Sequence, residues 1–106
     1  MQIQSRYSND HYAKIFHALG DPTRLSIFYY MENREQMCVT DIARALDLTV
    51  ANTSHHLQIL YKADLFIKER QGLYICYERA ENTIVEAVEE LIKCSSLYDD
   101  ETSEKV

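Results

Sequence analysis

The stretch from Val39 to Tyr61, VTDIARALDLTVANTSHHLQILY, constrains the fold of this chain more than any other. Ile42, Ala43 and Leu46 fall on one side of a short helix that Thr40 is placed to cap. Asp47 and Leu48 break the period, and Asp47 is expected in a left-handed backbone that glycine adopts at lower cost. Thr49 then reads as the cap of a second helix. The stretch is two short helices joined by a tight turn.

The flanking sequence extends the pattern. Only two glycines and one proline interrupt 106 residues, which favours a mainly helical chain. A first helix is expected from about Ser8 to Leu19, with Tyr12, Ile15, Phe16 and Leu19 on one face and Gly20 ending it. Asp21 and Pro22 open the next helix as N-cap and first position, and Leu25, Phe28, Tyr29 and Met31 form its apolar side. After Asp64 the period shortens. Leu65-Phe66-Ile67 and LYICYE flank a polar tip at Gln71-Gly72, the pattern of a hairpin. A last helix follows from about Asn82 to Leu97, striped by Ile84, Ala87, Val88, Leu91 and Ile92. The expected fold is mainly α with a small β-hairpin wing, a winged helix-turn-helix in residues 1–98. The acidic stretch 99–106 reads as a disordered tail.

The helix after Thr49 carries the functional signal. At about 100° per residue, Val50, Thr53, Leu57, Leu60 and Tyr61 share the side expected to be buried. Ala51, Ser54, His55, Gln58 and Lys62 occupy the adjoining arc, and none is large and apolar. Such a face suits the major groove of DNA. Ala51 permits close approach and can touch a thymine methyl, Ser54, His55 and Gln58 can bond base edges, and Lys62 can reach a phosphate. Thr49 belongs to the same end of the helix. Asn52 and His56 fall on the far flank, in supporting or backbone-contacting roles. Lys68 and Arg70 flank the hairpin tip, near DNA backbone or minor groove. Alone they read equally as the ordinary solubility of an edge strand, but beside this helix they favour phosphate contact.

The net charge of −6 does not oppose this reading. Residues 80–106 hold two lysines against eight acids, so the whole excess lies in the last quarter. No apolar run approaches the ~20 residues of a membrane span, and the start, MQIQSRYSNDHY, has no basic-then-apolar leader pattern. A cytoplasmic protein is expected, with Cys38, Cys76 and Cys94 as reduced thiols. There is no glycine-rich phosphate loop, no H-E-x-x-H and no nucleophile–base spacing, so an enzyme is not expected.

Four segments in order, HALGDPTRLSIF, MCVTDIARALDLT, TSHHLQILYKADL and QGLYICYE, resemble the ArsR/SmtB group of winged-helix repressors. The likeness spans about residues 11–79, and VANTSHHLQILYK is most similar to the cadmium- and lead-responsive members. It implies a homodimer built from the first and last helices, bound to an imperfect inverted-repeat operator in double-stranded DNA and released by an effector.

The effector residues depart from that group. Its thiol-type members carry Cys-Val-Cys where this chain has Cys38-Val39-Thr40, and residues 1–37 contain no cysteine. A soft-metal site needs several thiolates. The group's second site, on the last helix, corresponds here to Glu81, Thr83, Cys94 and Leu97, which leaves at most two ligand types. A metal ion therefore lacks a complete ligand set, and no cofactor is expected. Cys38, at a helix start, and Cys94, near the end of the last helix, are the candidate effector or redox residues, and each reads equally as packing. Cys76 reads as packing. Three roles stay open on the sequence: an effector-released repressor, the same repressor switched through Cys38 or Cys94 by thiol chemistry, and a winged-helix protein-interaction module with weak DNA binding.

Overall fold

A computed structural model describes residues 8–105, with side chains through Cys94. Five helices and three short strands follow in the order α1 (Asn9–Leu19), α2 (Pro22–Tyr30), β1 (Met37–Cys38), α3 (Val39–Leu46), α4 (Val50–Lys62), β2 (Phe66–Gln71), β3 (Tyr74–Arg79) and α5 (Thr83–Lys105). The strands form one antiparallel sheet in the order β1-β3-β2.

Local chemistry sets most boundaries. Ser8 caps α1 by accepting from the His11 amide at 3.3 Å, and Asp21 caps α2 by accepting from the Arg24 amide at 3.0 Å, with Pro22 in the first turn. Asp47 ends α3 at φ 57°, ψ 49°, as expected. The Leu48 amide reaches back to the Ala43 carbonyl at 2.9 Å, the 6→1 bond of a Schellman ending. Thr49 caps α4 through the Asn52 amide at 3.1 Å. Asp64, at φ 63°, closes α4 by the same device, with the Leu65 amide on the Leu60 carbonyl at 3.1 Å.

Three expectations are corrected. Thr40 does not cap α3: the helix starts at Val39 with Cys38 as N-cap and no side-chain cap bond. The extended pair β1 feeds straight into the helix, and two residues are too few to announce a strand. In α2 the buried side is Arg24, Ile27, Phe28 and Met31, while Tyr29 is 48% exposed. In α4, Val50 and Tyr61 lie open, and His56 takes a place on the buried side beside Thr53, Leu57 and Leu60. The wheel finds the direction of the core, but the neighbours decide which edge of the stripe they cover.

One core joins every layer: Ile15 and Ala18 of α1, Ile27 and Phe28, Ile42, Leu57 and Leu60, Phe66 and Tyr77 of the sheet, and Val85 and Val88 of α5. Phe28 and Phe66 meet as tilted rings with centroids 6.3 Å apart. Arg79 fastens α5 to this core, its guanidinium lying 3.8 Å above the Phe28 ring while it donates to the Phe28 carbonyl at 3.1 Å and pairs with Glu89. Burial pushes its pKa down, with Glu89 and Glu32 opposing. The Asn82 side chain caps α5 by accepting from the Val85 amide at 2.8 Å. The α5 backbone stays helical beyond Leu97, the end expected from its stripe, to Lys105. No helix among the described residues is long and apolar enough to cross a membrane.

Candidate nucleic-acid interface

Helix α4 is held from behind. Arg24 donates from Nε to the Ala18 carbonyl at 2.8 Å and from Nη2 to the His17 carbonyl at 3.1 Å, so it caps the end of α1. Its Nη1 lies 3.1 Å from His56 Nδ1. A guanidinium has no acceptor, so His56 Nδ1 must supply the lone pair and the ring is neutral there. Burial lowers the His56 pKa, Asp21 opposes the shift, and the Arg24 charge adds to it. Thr53 is fully buried on the same side, its hydroxyl satisfied within the first turn of α4 by donating to the Thr49 carbonyl at 2.8 Å.

The other side of α4 faces out. Thr49, Ala51, Asn52, His55, Gln58 and Lys62 are exposed and Ser54 is half-buried. Gln58 Nε2 donates to Ser54 Oγ at 3.3 Å, one turn back along the same edge. The wing meets this edge. Ser54, Gln58 and Lys68 share a cleft of about 250 Å³ with Thr40, Val50 and Tyr74. Lys68 Nζ sits 4.4 Å from the centroid of the Tyr61 ring, a cation–π contact across α4 and β2. Arg70 is exposed further along β2.

Beyond Phe66 every residue of β2 is exposed, so this strand projects from the body. Gln71 pairs with Tyr74, which leaves Gly72-Leu73 as the turn, one residue later than the sequence suggested. Gly72 has φ 63° and nothing within 4 Å of a built Cβ, so its glycine serves the turn and not a close approach. Leu73 is 94% exposed and Tyr74 58%. Nothing in the sequence marks Leu73 and Tyr74 as surface residues, because apolar side chains in a hairpin default to the core, and Tyr61, at the edge of the α4 stripe, is left uncovered by its neighbours.

The proposed sensing residues do not converge. Cys38 is half-buried in β1 and Cys94 is exposed on α5, while Cys38 stands opposite Cys76 of β3. Among the described residues no group of three or more His, Cys, Asp or Glu can hold a metal ion. Thr40 brings a hydroxyl where a thiolate is needed, so the donor set does not fit the thiolate metal centre that the family resemblance implies.

The sequence profile of bacterial regulatory proteins of the arsR family matches residues 21–68. The chain is 32% identical over 83 residues to an arsenical resistance operon repressor of Bacillus subtilis, covering 78% of this chain and 79% of that protein. This chain belongs to the arsR family. It is also 31% identical over 77 residues to a cadmium resistance transcriptional regulatory protein (CadC homolog) of Staphylococcus aureus, covering 73% of this chain and only 64% of that one. Among solved structures, a homodimeric winged helix-turn-helix DNA-binding domain of a possible ArsR-family regulator from Mycobacterium bovis aligns at a TM-score of 0.71. That alignment has 27% identity and covers 100% of this chain and 96% of the other. The arsR segment starts at Asp21, the cap of α2, and stops at Lys68 on the wing. It thus holds both helices of the turn and the Arg24–His56 anchorage behind them.

Proposed function

We propose that this protein is a homodimeric, sequence-specific transcriptional repressor that binds an inverted-repeat DNA operator in the cytoplasm. One observation carries the reading: α4 is locked on its inner side by Thr53, His56, Leu57 and Leu60, while its outer side is a polar, sterically open face. Residues pinned in this way can hold a fixed register in a groove. Ser54, His55 and Gln58 take base edges, and Ala51 lies against a thymine methyl. Thr49 and Asn52 bond the sugar–phosphate backbone at the start of the helix, and Lys62, Lys68 and Arg70 contact phosphates. The role is binding, with no turnover.

The dimer rests on a groove of about 480 Å³ between α1 and α5, lined by Tyr12, Ile15, Phe16, Leu19, Ile84 and Leu91 among others. Phe16 is 72% exposed and Leu91 65% in the single chain, a large apolar patch for a protein of this size. A two-fold axis through it presents two α4 helices to half-sites about one helical turn apart. The dimerising and DNA-binding domain is assigned to residues 1–98, with 99–106 outside it. Release by an effector goes with this role, through a site other than the thiolate cluster.

A mobility-shift titration on the DNA upstream of the protein's own coding sequence tests this. A discrete complex at low salt is expected, with protection of two symmetric half-sites. Absence of any complex at low salt refutes it.

A further inference from the structure

Cys38 and Cys76 are direct cross-strand partners in the antiparallel pair of β1 and β3. Residues opposite each other in such a pair have Cα atoms about 4.5–5.5 Å apart, inside the roughly 4.4–6.8 Å range that disulfides span. As direct cross-strand partners, the two side chains stand on the same face of the sheet. Both sulfurs are free thiols, with Cys76 buried in the central strand and Cys38 half-buried at the sheet edge. The pair has an accessible member and a shielded member already in place, which is the arrangement a two-step oxidation needs. Cys38, at the accessible edge, fits the first step, and Cys76, buried beside it, the second. Burial pushes the Cys76 thiol up to about 11, so it is the less reactive of the two toward oxidant in solution.

We propose that Cys38 and Cys76 form a thiol–disulfide site, closed by a peroxide-class oxidant and reopened by a dithiol. The Cys38 sulfur attacks one peroxide oxygen, the O–O bond breaks, and the departing oxygen leaves as water with the thiol proton. Cys38 is then a sulfenic acid. The Cys76 sulfur displaces its oxygen, the S–S bond forms as the S–O bond breaks, and the Cys76 proton leaves in a second water. Each sulfur gives up one electron and the peroxide gains two. Cys38 opens α3 and Cys76 lies in the wing, so the bond staples the helix-turn-helix to the wing. Cys94 takes no part. The site stands on the register of β1 and β3 and does not depend on DNA binding.

The test uses the full chain, fully reduced and then exposed to a small excess of hydrogen peroxide. Intact-mass spectrometry without reductant is expected to show a monomer lighter by two hydrogens, with titratable thiols falling from three to one. Proteolytic mapping should yield a crosslinked peptide pair containing Cys38 and Cys76, and dithiothreitol should restore the starting mass. Cys94→Ser should keep the mass loss, while Cys38→Ser and Cys76→Ala should abolish it. Should Cys76→Ala fail to fold, Cys38→Ser and the wild-type peptide map decide alone. Mass loss that persists in Cys38→Ser, crosslinking through Cys94, or oxygen addition without loss of two hydrogens overturns the proposal.

Discussion

The guanidinium of Arg24 caps the end of α1 and, 3.1 Å from His56 Nδ1, props the inner side of α4. A single buried side chain of α2 therefore bridges the end of α1 and the inner side of α4. Replacing Arg24 by Met leaves the Ala18 carbonyl and an imidazole without the guanidinium, while the His17 carbonyl keeps the Gly20 amide, at a cost of roughly 2–4 kcal/mol. Lysine should not rescue it, since an ammonium cannot reproduce the guanidinium fork. Urea denaturation of wild type, Arg24→Met and Arg24→Lys checks this, and full rescue by lysine would contradict it.

The same pair predicts an acid-sensitive fold. The His56 pKa is lowered in the folded chain, so the unfolded chain takes up the proton first. Stability from His56 is complete above the ordinary histidine value of about 6.5 and is lost as pH falls through the lower folded value. Asp21, also lowered, chiefly by its bond from the Arg24 amide, contributes above the ordinary aspartate range and is lost at more acid pH. Melting temperatures at pH 7.5 and 5.5 should drop less for His56→Gln, which keeps an acceptor for Arg24, than for wild type. Equal drops would remove His56 from the account.

The two parts of the DNA surface should fail differently. His55→Ala is expected to relax discrimination among operator variants. Lys68→Ala is expected to weaken all sequences alike and reduce the salt slope by about one. Competition mobility shifts across a salt series distinguish them, and identical behaviour would refute the division of roles.

Leu91 lies 65% exposed beside Phe16 in the groove between α1 and α5. Leu91→Glu should leave the monomer folded, because the side chain meets solvent in the single chain. It should shift the mass seen by light scattering from dimer to monomer and weaken operator binding at least tenfold. A dimer that survives this change would place the interface elsewhere.

Asp47 holds φ 57° on the exposed turn between α3 and α4. Asp47→Gly should raise stability by up to about 1 kcal/mol, less the extra freedom glycine gains when unfolded. Asp47→Val should lower it, since a β-branched side chain fits that region worst. Denaturant midpoints of the two variants should fall on opposite sides of wild type.

The features readable from sequence were those made by near neighbours. Asp21 and Thr49 cap their helices through amides three residues on, and Asp47 turns the chain where the apolar period breaks. The exposure of Ala51, His55 and Gln58 followed from the same wheel. What could not be read is carried by distant pairs. Strand β1 exists because Met37 and Cys38 meet Tyr77 and Cys76 across the sheet. His56 is buried because Arg24, 32 positions earlier, arrives to satisfy it. Arg24 did leave a trace, since it shares a face with Ile27 and Phe28, but a lone cation in an apolar stripe does not say what it bonds.

Asn82 joins two helices. Its side chain caps α5 and also donates to the Asp64 carbonyl at 2.9 Å, on the residue that turns the chain out of α4. One amide thus ties the first turn of α5 to the end of α4. A displacement of the first turn of α5 would therefore pull on the end of α4 through a single side chain, at a distance from the outer face of that helix.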